Sequence, residues 1–260
     1  MPHLDKAIPG TIVWTELATP DIDKARAFYG PLLGWSWSGG EDANSGYYTT
    51  ALRGERRVAA IFKQGPQTPG PSAWVQYFGT DDVDASAAKV KANGGQVLTG
   101  PLDVWDLGRM AMCLDPTGAK FGFWQAKQHS GAQLVNEPGA TTWHEVYTRD
   151  AAKARDFYAR VLNLEPKRME GEGMEYWTLH RGPDAVAGLM QLTDRQPKDE
   201  PSHWNVYFAV EDADAAVKKL EKLGGRVFQP PFDTPFGRMS AVADPFGAGF
   251  CIIDLSKATT

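Results

Sequence analysis

The sequence predicts an α+β protein in which a module of one strand, one helix and several further strands is used four times, as two tandem copies of one domain. Three observations predict it. WTELATPDIDKARAFY (14–29) returns as WHEVYTRDAAKARDFY (143–158), identical at nine of sixteen positions. WVQYFGTDDVDASAAKVKANGG (74–95) returns as WNVYFAVEDADAAVKKLEKLGG (204–225), and GRMAMCLDPTGAKFGF (108–123) as GRMSAVADPFGAGFCI (237–252). Within each copy, strand-like stretches end twice in an Asp that opens a helix-like segment, at Asp21 and Asp82, then Asp150 and Asp212. The copies are expected at 8–127 and 141–256, joined by a polar, Gly- and Pro-containing linker at 128–140.

Each element has a local cause. An Asp before a helix accepts hydrogen bonds from the free N–H groups of the first turn and suits the positive end of the helix dipole. After Asp150, Ala151, Ala154, Phe157, Tyr158 and Val161 share one helical face; after Asp212, Ala213, Ala216, Val217, Leu220 and Leu223 do the same. Gly94-Gly95 and Gly224-Gly225 stop their helices. Short β-rich runs follow the helices, among them VAAIF, FGFW, AVAGLM and GFCIID. DPTG and DPFG read as turns between the last two strands of each copy.

Composition narrows the function classes. With 42% hydrophobic and 23% charged residues over 260 positions, the chain has a core and is soluble. A net charge of −5 argues against a nucleic-acid partner, because little here could neutralise a row of phosphates. No run of about 18 apolar residues suggests a membrane span. The opening MPHLDKAIPG lacks a secretory pattern, and Cys113 and Cys251 sit in strand-like stretches as small buried thiols, so a reduced, cytoplasmic protein is expected. GxGxxG at a strand–helix junction, GxxxxGK[ST], GxSxG and HExxH are all missing.

The four quarters, D-x-D-x-A-x-x-F-Y after the first strand and D-P-x-G before the last resemble the vicinal oxygen chelate superfamily, which includes glyoxalase I, bleomycin-resistance proteins and extradiol dioxygenases. The W-x-E-x-x-x-x-D opening and the G-R-M strand are similar to tandem actinobacterial members labelled glyoxalase-like or hydroxylase-like. The resemblance implies four βαβββ modules forming two domains. Each would be a curved eight-stranded mixed sheet, an open cup with helices outside and ligand inside.

Alternation along strands then sorts side chains between the faces. Val206, Phe208 and Val210 suit a covering helix, which turns Asn205, Tyr207 and Ala209, with His203, toward the cup; Val75, Tyr77 and Gly79 follow in the first copy. Val13, Leu17, His144 and Val146 are expected on the helix side. Trp14 and Glu16, with Trp143, Glu145 and Tyr147, are expected on the cup side. In the last strands Gly122 and Trp124, or Cys251 and Ile253, point inward.

The resemblance implies a metal held by a His, a second strand ligand and a Glu. Those positions map to Trp14, Val75 and Gly122 in the first copy and to Trp143, Asn205 and Cys251 in the second. Indole, Val and Gly offer a metal no lone pair, and the second copy has at best a weak carbonyl from Asn205 and the thiol of Cys251, so no metal and no other cofactor are expected. A shift of one residue would bring His144 into a ligand position but would turn Val146 inward. His180, before Arg181-Gly182, reads as surface.

What remains is one acid per cup among aromatics: Glu16 with Trp14, Tyr77 and Trp124, and Glu145 with Trp143, Tyr147 and Tyr207. Arg109 and Arg238 of the repeated GRM are candidate partners, as a structural Glu16–Arg109 and Glu145–Arg238 pair or as catalytic groups beside a glutamate base. Two functions are weighed. One is a protein that binds a small planar or aromatic molecule in a metal-free cup, with or without acid–base turnover. The other is a divalent-metal enzyme, a glyoxalase-type lyase or a dioxygenase/hydroxylase. A small molecule is the expected partner, and the chain is expected to be a monomer with an internal pseudo-dimer, a homodimer being optional.

Overall fold

The structure is a computed structural model that describes residues 6–66, 70–169, 175–194 and 196–259. In the first copy β1 (Ile12–Thr19) leads into α1 (Ile22–Leu33), β2 (Ser36–Gly39), β3 (Thr49–Arg53) and β4 (Arg56–Lys63). The second quarter is β5 (Ala73–Gly79), α2 (Val83–Ala92), β6 (Gln96–Val104), β7 (Gly108–Leu114) and β8 (Lys120–Ala126). The second copy repeats this with β9 (Thr141–Thr148), α3 (Ala151–Leu162), β10 (Glu165–Met169), β11 (Tyr176–Arg181) and β12 (Asp184–Gln191). Its last quarter is β13 (His203–Ala209), α4 (Ala213–Lys222), β14 (Arg226–Thr234), β15 (Gly237–Ala243) and β16 (Gly249–Asp254). All four aspartates cap as expected, their carboxylates accepting from Lys24, Ala85, Lys153 and Ala215 backbone N–H groups.

Each copy is one open eight-stranded mixed sheet. The first runs β2-β3-β4-β1-β5-β8-β7-β6, and the second repeats that order as β10-β11-β12-β9-β13-β16-β15-β14. The quarters meet through the antiparallel pairs β1–β5 and β9–β13, whereas β1–β4 and β5–β8 are parallel.

The helices lie on the convex face of each sheet, and those faces pack against each other. α1 shares a core with α4: Phe28, Tyr29 and Leu33 meet Phe208, Leu220 and Phe250. α2 shares a second core with α3, where Val83 and Val90 meet Phe157, Tyr158 and Trp204. The helices are therefore outside each cup, one face of each packed in these shared cores and the other exposed, and the concave faces of the two sheets look away from one another. Burying each such Phe contributes about 1.5–3 kcal/mol.

Two hydrogen-bonded triads tie the halves. Trp74 donates to the Tyr29 hydroxyl (3.1 Å), which donates to Asp244 (3.2 Å). Trp204 donates to Tyr158 (2.8 Å), which donates to Asp115 (2.8 Å). Asp115 and Asp244 are the aspartates of DPTG and DPFG, which also hold their own turns through the backbone of residues 117, 119, 246 and 248.

One expectation about the fold needs correction. Val13 packs on the cup side with Trp14, not under the helix, because β1 carries a bulge between Ile12 and Trp14 that breaks the alternation. The segment 128–140 is packed: Ala132, Leu134 and Ala140 are buried, and its backbone bonds to Val13, Arg57 and Ala209.

Candidate functional site

The concave face of each sheet carries a glutamate held by tyrosines. In the first cup Glu16, in the middle of β1, accepts from Tyr48 (3.0 Å) on one oxygen and from Tyr77 through a short bond on the other. Trp14, two residues earlier on the same face, donates its indole N–H to the Tyr48 oxygen (2.8 Å). In the second cup Glu145 accepts from Tyr147 (2.6 Å), Tyr207 and Tyr176 (2.8 Å), and Trp143 donates to Tyr176 (3.0 Å). The same chain, indole to phenol to carboxylate, is built twice.

Backbone register sets this geometry. Glu145 lies opposite Asn205 on β13 and Gly188 on β12. A side chain at 188 would stand 2.1 Å from the Tyr176 hydroxyl, so glycine there lets the phenol reach Glu145. Gly122 does the same in the first cup: a Cβ there would lie 2.3 Å from the Tyr77 ring.

Burial shapes the titration of the cluster. It pushes the Glu16 carboxyl above its ordinary value, while the bonds from Tyr77 and Tyr48 act the other way. Tyr48 and Tyr77 are pushed far up by burial and then by the Glu16 charge. Tyr147, Tyr176 and Tyr207 are raised in the same way, with Glu145 as the charge. The phenols therefore stay protonated and donate.

Trp14, Val75, Tyr77 and Trp124 form one cluster; Tyr207, Cys251 and Ile253 form the other, with Trp143 packed against it. His203 stacks on Tyr147, with ring centroids 5.3 Å apart. Asn205 donates to the Cys251 sulfur (3.2 Å), and burial with the Glu145 charge pushes that thiol up to about 12.

Arg109 and Arg238 are the corrections. Met110 and Met239 face the cups, so the arginines one residue earlier point to the helix face. Arg109 pairs with Asp84 (2.9 Å) and Asp103 (3.1 Å), and Arg238 with Asp214 (2.6 Å) and Asp233 (3.0 Å). Neither reaches a glutamate. Tyr48 and Tyr176 take the place foreseen for them; both begin the repeated pattern Y-x-T-x-x-R-G (48–54, 176–182).

His144 is buried between the sheets and meets the Thr15 hydroxyl at 3.0 Å, with burial lowering its imidazole to about 3. Its ring is thus away from both cups. His180 lies in β11, half-buried, 2.8 Å from the Thr178 hydroxyl.

The two cups differ. In the first, His129 of the connecting segment wedges between Trp14 (4.5 Å, edge-on) and Trp124 (5.6 Å), and Trp124 donates to its carbonyl (2.7 Å). Burial and the Arg57 charge lower that imidazole to about 4. In the second, Leu255, following β16, packs against the cluster of Tyr207, Cys251 and Ile253.

A metal does not fit the donors present. The two indoles are N–H donors, the Tyr77 ring covers Gly122, and Asn205 and Cys251 are bonded to each other. Among the described residues no group of three His, Cys, Asp or Glu side chains converges as a metal site, and no helix is long and apolar enough to cross a membrane.

Known proteins share this architecture. The Glyoxalase/Bleomycin resistance protein/Dioxygenase superfamily profile matches residues 11–123 and again 128–252. The chain is 40% identical to a putative glyoxylase, CFP32, of Mycobacterium bovis, over 97% of this chain and 98% of that one. It is 38% identical to the anthracycline biosynthesis protein DnrV of Streptomyces peucetius, over 96% and 94%. A Mn(II)-bound glyoxalase from Novosphingobium aromaticivorans superposes with a TM-score of 0.65 at 17% identity, over 95% of this chain and 85% of that one. A 2,2',3-trihydroxybiphenyl 1,2-dioxygenase from Sphingomonas wittichii gives 0.66 at 14%, over 95% and 91%. The chain belongs to this superfamily, with one family domain in each half.

Proposed function

We propose that this member of the glyoxalase, bleomycin resistance and dioxygenase superfamily binds a small planar or aromatic molecule in a metal-free cup, and that the second cup is the working one. One observation carries the reading. Where metal-dependent relatives are expected to place a histidine, this chain has a tryptophan whose N–H is used to fix a tyrosine on a buried glutamate. Trp143, Tyr147, Tyr176, Tyr207 and His203 offer ring faces for stacking, each pair contributing about 0.5–1.5 kcal/mol beyond simple burial. Asn205 is the polar group on the floor that orients a ligand. The name of one relative refers to anthracycline biosynthesis, and fused planar rings are the kind of surface such walls stack on. Glu145 is the group that could take a proton from a bound ligand, its three phenols stabilising the carboxylate.

Metal content by plasma mass spectrometry after incubation with Zn²⁺, Fe²⁺, Mn²⁺ and Ni²⁺ tests the metal-free part. Less than about a tenth of an equivalent supports it, since protein metal sites normally fill near stoichiometry. Near one equivalent, lost on mutating Asn205 or Cys251, supports the metal-dependent lyase or dioxygenase instead. Titration with planar polycyclic probes, followed by tryptophan fluorescence, tests binding. If a substrate is found, Glu145→Gln that binds it normally and keeps full turnover removes the acid–base role.

A further inference from the structure

We infer that the second cup is built for an organic cation: a protonated amine, or a ring that is itself cationic, carried on a planar body. The inference rests on the reading that this cup binds planar molecules and adds the charge of the ligand. Glu145 is only 4% exposed. Its three partners are neutral phenols, and the direction of the chain from Trp143 through Tyr176 leaves it in the accepting role. None of the ion pairs among the described residues reaches it: Arg238 is taken by Asp214 and Asp233. His203, the imidazole stacked on Tyr147, turns its Nδ1 to the Pro201 carbonyl and its Nε2 toward Glu200 at 3.9 Å. The Cys251 thiol on the floor bonds Asn205 and brings no positive charge.

Neutral donors spread the charge of a carboxylate but do not cancel it, and a buried net charge is costly unless a counter-charge arrives. A carboxylate has about four acceptor positions, and three are filled here, so one remains for an N–H from a ligand. The surrounding Trp143, Tyr147, Tyr176 and Tyr207 rings attract a cation through their faces, an attraction that strengthens when water is excluded. The first cup lacks this balance, because Arg57 lies close enough to act on His129, and His129 fills the space between the tryptophans.

Three probes that share one ring system separate the possibilities. 9-Aminoacridine is cationic at neutral pH, acridone is neutral and acridine-9-carboxylate is anionic. Isothermal titration of the full chain is expected to give one site, at least tenfold tighter for the cation than for acridone, with the anion weakest. Glu145→Gln is expected to bring the cation within about threefold of acridone, both measured on that variant. Acridone binding as tightly as the cation, or a preference that survives in folded Glu145→Gln, overturns the inference and leaves the binding reading intact. If Glu145→Gln does not fold, Asn205→Lys, which sets a positive charge on the same floor, must abolish the preference; its persistence overturns the inference. No binding by any of the three overturns the planar-ligand reading and this inference with it.

Discussion

The Tyr158 hydroxyl donates to Asp115 of the other copy at 2.8 Å, and Tyr29 repeats the bond to Asp244. Each tyrosine ends the stretch that the chain carries twice, and each aspartate opens the turn before a last strand. Two local motifs of the duplicated domain are thus joined across the interface between the copies.

Tyr158→Phe tests what that junction contributes. The ring stays in its aromatic cluster, but the Trp204 N–H loses its acceptor and Asp115 loses one donor, both in buried surroundings. An unsatisfied buried donor costs about 1–3 kcal/mol. Urea unfolding should show a loss of that size with an unchanged slope; a change under about 0.3 kcal/mol would mean that the Tyr158 hydroxyl contributes nothing measurable at this junction.

His144 predicts an acid sensitivity. Its folded imidazole titrates at about 3 against an ordinary 6.5, so the fold holds the neutral form. Above pH 6.5 folded and unfolded chains are both neutral there and its contribution is complete. As pH falls from 6.5 toward 3 the unfolded chain takes up the proton first, and stability drops by about 1.4 kcal/mol per pH unit. Glu16 and Asp244, whose carboxyls are raised, act in the opposite sense above their ordinary values, so the readout is a difference. His144→Gln, which can still bond Thr15, should flatten the fall in unfolding free energy between pH 6.5 and 4.5 relative to the parent chain. Parallel pH profiles for the two proteins would refute the assignment.

Much of this architecture was legible in the chain, for reasons that particular residues show. The duplication and the four Asp caps are local patterns, and alternation placed Trp14, Tyr77, Trp143, Tyr147 and Tyr207 on the cup face. Alternation failed at Val13 because a bulge inserts a residue, which period-two reasoning cannot see. The same alternation sends Arg109 and Arg238 to the helix face, because Met110 and Met239 beside them face the cups. Two partners of the glutamates, Tyr48 and Tyr176, were missed because they lie two strands away, and their repeated Y-x-T-x-x-R-G was too short to stand out. The pairing of the convex faces left a trace in the helix stripes, but which helix meets which is a tertiary fact with no local signal.

Gly188→Ala should disable the second cup and spare the first. The added methyl would stand 2.1 Å from the Tyr176 hydroxyl and 2.8 Å from the Glu145 Cβ, so one of them must move. Overpacking of this kind costs about 1–3 kcal/mol, and here it breaks the bond that orients the carboxylate. Affinity for a planar probe should fall tenfold or more in a protein that still unfolds cooperatively. Unchanged affinity would place the ligand somewhere other than the cup of Glu145.

The difference between the cups gives the last expectation. His129 sits edge-on to Trp14 at 4.5 Å and is held there by the bond from Trp124 to its own carbonyl, so a planar ligand entering the first cup must displace the imidazole from between two indoles. The segment that carries it is anchored on both sides, by the Lys127 and His129 N–H groups on the Leu107 carbonyl and by Ala132 on Val13. Truncating the side chain therefore empties the space without releasing the backbone. Loss of the two edge contacts should cost about 1–3 kcal/mol of stability. Titration of the parent chain with a planar probe should give one site, and His129→Ala should give a second, weaker one, because Glu16 holds two phenols where Glu145 holds three. Two equal sites in the parent chain would show that the imidazole does not block the first cup, and a single site in His129→Ala would show that removing it does not open that cup.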